Sequence, residues 1–186
     1  MHPRIEEVIG YVDSTRNDLA DAIEAVPAAR RDERPAPDRW SVAEILDHLN
    51  RVENRISQAA ASWLVDARAA GLGPETDSSP VIDSINRSRI IDRTERVNAP
   101  DSILPQPSVN AEAAWKTLQA SRDQLRATFE TGDGLALAEI VRPHPVLGPS
   151  NLYQWILFVG AHEARHTGQI REIAAEFSAE AGASNS

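Results

Sequence analysis

Trp40-Ser41-Val42-Ala43-Glu44-Ile45-Leu46-Asp47-His48-Leu49-Asn50-Arg51-Val52 reads as the start of a helix with one wet and one dry face. Ser41 and Glu44 have the Ser-x-x-Glu spacing of a capping box, in which each side chain accepts the other residue's backbone N–H. Trp40 sits just before the cap, where it can staple onto Ile45. From Ile45 the apolar positions continue through Leu49, Val52, Ile56, Ala59 and Trp63. Steps of three and four lay these on one stripe. The helix should fade near Ala70-Gly71, because Gly73 and Pro74 follow.

Three further segments carry the same period. The first runs from about Arg4 to Val26, with Ile5, Val8, Val12, Leu19, Ile23 and Val26 on its stripe and Pro27 beyond its end. The second runs from about Val109 to Thr131, with Ala114, Leu118, Ser121, Leu125 and Phe129 inward. The last begins near Ser150 or Asn151 and continues to Phe177 through Leu152, Trp155, Val159, His162, His166, Ile170 and Ile173. The connection from Gly71 to Pro107 is too long for a helix–helix turn, so it should cross the helices or cover a site. A short helix is expected within it, near Val81 to Asp92. No stretch of useful length alternates with period two. These features predict an all-α fold, a four-helix bundle with a long crossover connection, formed by a single domain over residues 1–178. Residues 179–186 are small and polar and are expected to form a disordered tail. Trp40, Ile45, Leu49, Leu118, Leu125, Val159 and Ile173 should be mostly buried.

Composition narrows the function. The 186 residues hold 28 acidic against 19 basic side chains, a formal charge of -9, which argues against a nucleic-acid partner. Cys is absent (Cys 0), which removes thiolate nucleophiles, redox pairs, cysteine zinc sites and disulfides together. No apolar run approaches the roughly 20 residues that span a bilayer. The start, Met1-His2-Pro3-Arg4-Ile5-Glu6-Glu7, lacks the apolar region of a signal peptide, so a cytoplasmic protein is expected.

Of the 5 histidines, His2 lies at the start and His144 lies between two prolines in a loop. The other three fall on or beside apolar stripes. His162 and His166 are four apart and leave one helix face on adjacent turns. His48 flanks the inward face of its own helix. Buried imidazoles need partners. A single buried histidine is usually just hydrogen-bonded to a neighbour, but a seam pair with a third available points to a divalent metal. Three neutral imidazoles leave a metal its full charge and an open position, the pattern of catalytic rather than structural zinc. Such an ion lowers the pKa of water toward 7 or holds a thiolate or carbonyl oxygen. His162-Glu163-Ala164-Arg165-His166 also matches the zinc-protease pattern H-E-x-x-H. Its context is poor: Gln169 stands where an extended version of the motif wants Gly, and no strand offers a peptide an edge.

Taken with His144-Pro145-Val146-Leu147-Gly148, Trp155 and His162-Glu163-Ala164-Arg165-His166-Thr167-Gly168-Gln169-Ile170, the Trp40–Leu49 stretch resembles the DinB-like superfamily. The closer likeness is to its branch of YfiT-type metal-dependent hydrolases, and it covers nearly the whole chain. The resemblance implies a four-helix bundle with an unusual long connection, often a homodimer. It also implies zinc or nickel on three histidines, which carry over to His48, His162 and His166. Some relatives use low-molecular-weight thiols in isomerisation or S-transfer, and others are described as hydrolases. A divalent-metal-dependent enzyme acting on a small molecule is therefore expected, with a thiol arriving as cosubstrate or water in its place. The competing class is a non-enzymatic, stress-related metal-binding module whose helices serve dimerisation.

Several neighbours of these positions have weighted roles. Glu163, one step off the seam, is a candidate catalytic base or partner of a ligand, set against a solvated or capping role. Gln169 is read as structural, with ligand orientation as the alternative. Arg51 and Arg165 lie near the histidines and could meet an anion, although helical Arg is usually solvated. Trp63 and Trp155 are read as core. Glu44 is read as a cap that could also reach His48.

Overall fold

The computed structural model describes residues 1–94 and 98–183. They are mostly helical. In chain order the helices are α1 (Pro3–Glu24), α2 (Val42–Ala69), the short α3 (Arg87–Ile91), α4 (Ala111–Glu130) and α5 (Leu152–Ala183). The capping box is formed as its spacing predicts. Ser41 Oγ accepts the Glu44 N–H at 3.2 Å, and Glu44 accepts the Ser41 N–H at 2.9 Å. Arg34 holds the same carboxylate from the side at 2.8 Å. Among the described residues no helix is long and apolar enough to cross a membrane.

The dominant pairings are α2 against α4 and α1 against α5. Apolar side chains fill two clusters. One includes Val12, Val52, Leu125 and Val159; the other includes Leu19, Leu49, Leu118 and Ile170. Ile45, Leu49, Leu118, Leu125, Val159 and Ile173 are buried as expected. Trp40 is only half-buried. It packs at the edge of the second cluster, with its ring 4.9 Å from that of His48 and stacked 6.3 Å from that of His166.

A charged layer separates the two clusters, and each long helix supplies one member. Arg16 of α1 bonds Glu53 of α2 at 2.9 Å and Glu163 of α5 at 2.8 Å. Arg122 of α4 bonds the same two carboxylates at 3.1 and 3.2 Å. Thr15 and Ser121 hydroxyls add bonds to Glu163 (2.9 Å) and Glu53 (3.2 Å). All four charged residues are buried, so two cations and two anions neutralise one another out of water. Burial works against the charge on Arg122, but Glu163 and Glu53 overcome it and hold the guanidinium above its usual pKa.

The close approach of α1 to α5 depends on Gly160. A Cβ there would lie 2.5 and 2.9 Å from two ring carbons of Tyr11. To admit the methyl, the partly exposed Tyr11 ring must shift or the two helices must part. Gly160→Ala is expected to cost about 1–3 kcal/mol, the range for overpacking, in a urea melt. A melt unchanged from wild type would show that Tyr11 moves freely.

Three features depart from the sequence reading. Strands exist: β1 (Val141–His144) and β2 (Gly148–Asn151) form an antiparallel hairpin, with His144 opposite Gly148. Four residues with a proline in each strand are too short to show period two, and Gly148 closes the turn at φ +76. His144 is therefore a strand residue held in place, not part of a free loop. Second, the helix expected over Val81–Asp92 contracts to Arg87–Ile91, where Asn86 Oδ1 caps the Arg89 N–H at 3.1 Å. Third, α5 continues to Ala183, beyond the expected start of a tail at residue 179. Residues 184–186 of that tail lie outside the described residues.

Candidate metal centre

His48 leaves α2 about two turns after the cap, and His162 and His166 leave α5 one turn apart. The three rings meet. His162 Nε2 lies 3.3 Å from His48 Nε2 and 3.2 Å from His166 Nε2. One ligand nitrogen from each histidine lies within 4.8 Å of the other two. His48 and His166 are buried, and His162 is partly exposed.

The outward ring nitrogens decide the tautomers. His48 Nδ1 faces the Ile103 carbonyl at 2.8 Å, and His166 Nδ1 faces Gln169 Oε1 at 2.6 Å. Both partners are acceptors, so both Nδ1 atoms carry protons and both Nε2 atoms present lone pairs inward. One proton on His162 Nε2 can satisfy only one of them. A metal satisfies all three: tetrahedral coordination at 2.0–2.1 Å separates ligand nitrogens by about 3.3–3.4 Å. The donor set thus fits a divalent ion that accepts imidazole, and the Ile103 and Gln169 bonds are the outer support such ligands need.

Burial lowers the pKa of all three rings. It drives His162 to about 3, helped by the nearby His48, Arg165 and His144 charges. His166 falls well below its usual value through burial and then His162 and His48. His48 falls through burial, opposed by its Ile103 bond and by Asp47. His144 falls to about 4 through burial alone. The folded rings refuse protons that the unfolded chain accepts below about pH 6.5. Stability of metal-free protein is therefore full above about pH 6.5 and declines as the pH falls toward about 3, the folded value of His162. Urea midpoints across that window should show the decline, with a shallower slope in His144→Phe. A flat profile would mean that the rings are not shut off from solvent.

The other expected residues fall in different places. Glu163, the candidate base, directs its carboxylate into the charged layer, where Thr15, Arg16 and Arg122 hold it. None of its bonds reaches an imidazole. Its backbone position beside His162 misled because adjacent helical residues point about 100° apart. Gln169, read as structural, orients His166. Its spacing of three from His166 was the available signal. Ile103 had no such signal, since its carbonyl comes from the long connection. Glu44 does not reach His48; the Ile103 carbonyl takes that nitrogen instead. Arg51 pairs with Asp47 at 2.8 Å, and Arg165 bonds the Ile90 and Asp92 carbonyls. Trp155 is buried, whereas Trp63 is only partly so.

The uncharacterized protein YuaE of Bacillus subtilis (strain 168) is 28% identical over 142 residues, covering 76% of this chain and 81% of its own. No solved structure gives a significant match. The sequence profile of the DinB superfamily matches residues 11–170, a span that contains all three converging histidines, and the chain belongs to that superfamily.

Proposed function

We propose that this protein is a divalent-metal-dependent enzyme acting on a small molecule, with His48, His162 and His166 as the ligands of zinc or nickel. The observation that carries the reading is the convergence of three ligand nitrogens within 4.8 Å of one another, with His162 Nε2 at 3.2 and 3.3 Å from the Nε2 atoms of His166 and His48, near the separation a tetrahedral ion imposes. A bound ion would supply a positive charge that lowers the pKa of water or of a thiol. The protein's own part is to keep three imidazoles neutral and aimed, through Ile103, Gln169 and the cover of Trp40. With Cys 0 in the chain, any thiol arrives as a cosubstrate, and S-transfer and hydrolysis are the two reactions this reading carries. The helices are read as one DinB/YfiT-type four-helix bundle over residues 1–178, with residues 71–107 as its long crossover. The bundle is read as a cytoplasmic homodimer.

One observation favours the alternative, a metal-binding dimerisation module without catalysis. A cleft of about 640 Å³ opens between the 84–94 segment, the β1–β2 hairpin and α5, and none of the three histidines lines it. The deciding experiment begins with elemental analysis of untagged protein. Thiol-transfer assays with several low-molecular-weight thiols, and ester and amide hydrolysis assays, follow. Stoichiometric metal with turnover that His166→Ala abolishes supports the enzyme. Stoichiometric metal without turnover in any assay supports the module, and light scattering then tests the dimer.

A further inference from the structure

His144 is a fourth buried imidazole beside the centre, 4% exposed, and it is not one of the converging three. Its Nδ1 accepts two backbone N–H groups across the hairpin turn, from Val146 at 3.0 Å and Leu147 at 3.2 Å. A ring nitrogen that accepts two N–H bonds carries no proton, so in the neutral ring the proton is on Nε2. Burial keeps the ring neutral at physiological pH. His144 is therefore a fixed donor; its Nε2 bonds no described residue and is not among the fully enclosed unpaired atoms, so it keeps some accessible surface.

A second donor lies against it. Trp155 Nε1 is the one buried side-chain polar atom among the described residues that has no hydrogen-bond partner. The Trp155 and His144 ring centroids are 4.3 Å apart. A buried donor without an acceptor costs stability, and a persistent one calls for an explanation. The same wall leads to the histidine centre. Phe158 lies 4.2 Å from His144 on one side and stacks 5.4 Å from His162 on the other.

Charge indicates what the acceptor is. The carboxylates adjoining these histidines in sequence are already committed. Asp47 is held by Arg51 and by the Gln106 N–H, each at 2.8 Å, and Glu163 by Arg16 and Arg122. The ligand imidazoles are neutral. A dication held there would draw no compensating charge from these two carboxylates, so an anionic ligand is favoured beside it.

We propose that His144 and Trp155 form a donor subsite for a carboxylate oxygen of the small molecule that binds at the three-histidine centre. The inference rests on the metal reading for the location of that molecule, but the two donors exist with or without the ion. It makes small carboxylic acids the substrate class and His144 a residue that contacts substrate without holding metal.

The test uses full-length protein labelled with ¹⁵N and titrated with sodium acetate, with sodium chloride at equal ionic strength as the control. The Trp155 indole N–H and His144 Nε2 signals are followed in metal-free and zinc-loaded samples, with Trp155→Phe providing the assignment. Acetate is expected to shift both signals saturably, chloride neither. His144→Phe should raise the acetate dissociation constant about tenfold, as for loss of one hydrogen bond to a charged group, and leave zinc content by elemental analysis unchanged. Absence of a saturable shift in both forms of the wild-type protein overturns the subsite. So does wild-type acetate affinity in a folded His144→Phe. A protein that takes up no zinc overturns the metal reading instead, and the metal-free titration then still decides the donors.

Discussion

Replacing Glu163 with Gln is expected to destabilise the fold by about 3–5 kcal/mol, the range found when a buried ion pair loses one partner. The side chain hardly changes shape, so packing is preserved and the loss is electrostatic. Arg16 and Arg122 then share one carboxylate, Glu53, and a net positive charge is left where water cannot reach it. Arg122→Met should cost a comparable amount with the opposite sign of charge left over. The double replacement Glu163→Leu with Arg122→Met leaves one cation and one anion and should recover much of the loss. Urea denaturation of the four proteins measures all of this. A single-variant cost below about 1 kcal/mol would show that water or an ion reaches the layer, because exposed pairs contribute no more than that.

Removal of one imidazole from the converging set is the second large effect. His166→Ala should abolish stoichiometric zinc or nickel binding, and His2→Ala, at the far N-terminus, should leave it intact. Metal that binds only the folded chain stabilises it by about 2.7 kcal/mol at a hundredfold excess over the dissociation constant. Wild-type protein should therefore melt higher with added metal and return to its starting point with a chelator, whereas His166→Ala should ignore both. Low pH should weaken binding as well, since protons compete for the ligand nitrogens. One equivalent of tightly held metal on His166→Ala would remove the three-histidine assignment.

Much of this molecule was legible because it is local. The capping box at Ser41 and Glu44 is a matter of four consecutive residues, and it appeared where the spacing put it. Ala59 and Trp63 were less well read. Over the roughly five turns from Ile45 to Trp63 a 3.6-residue period drifts away from steps of three and four, and the buried positions are Ala60 and Leu64 instead. Glu163 and Gln169 failed in opposite directions for one reason. Sequence places both on the helix beside a histidine, but the packing of α1 and α4 pulled one carboxylate into the core while the other side chain stayed with its ligand.

Sequence alone determined the four long helices and the shared face of His162 and His166, because helical period and i,i+4 spacing are set by the backbone within one segment. It also determined that no cysteine chemistry is available. Tertiary structure decided the rest. His48 joins His162, 114 positions away, and the Ile103 carbonyl that sets its tautomer comes from a connection without a readable period. The charged layer likewise needs one residue from each of four helices. Such contacts depend on how helices approach one another, and that depends on summed burial over the whole chain rather than on any local pattern.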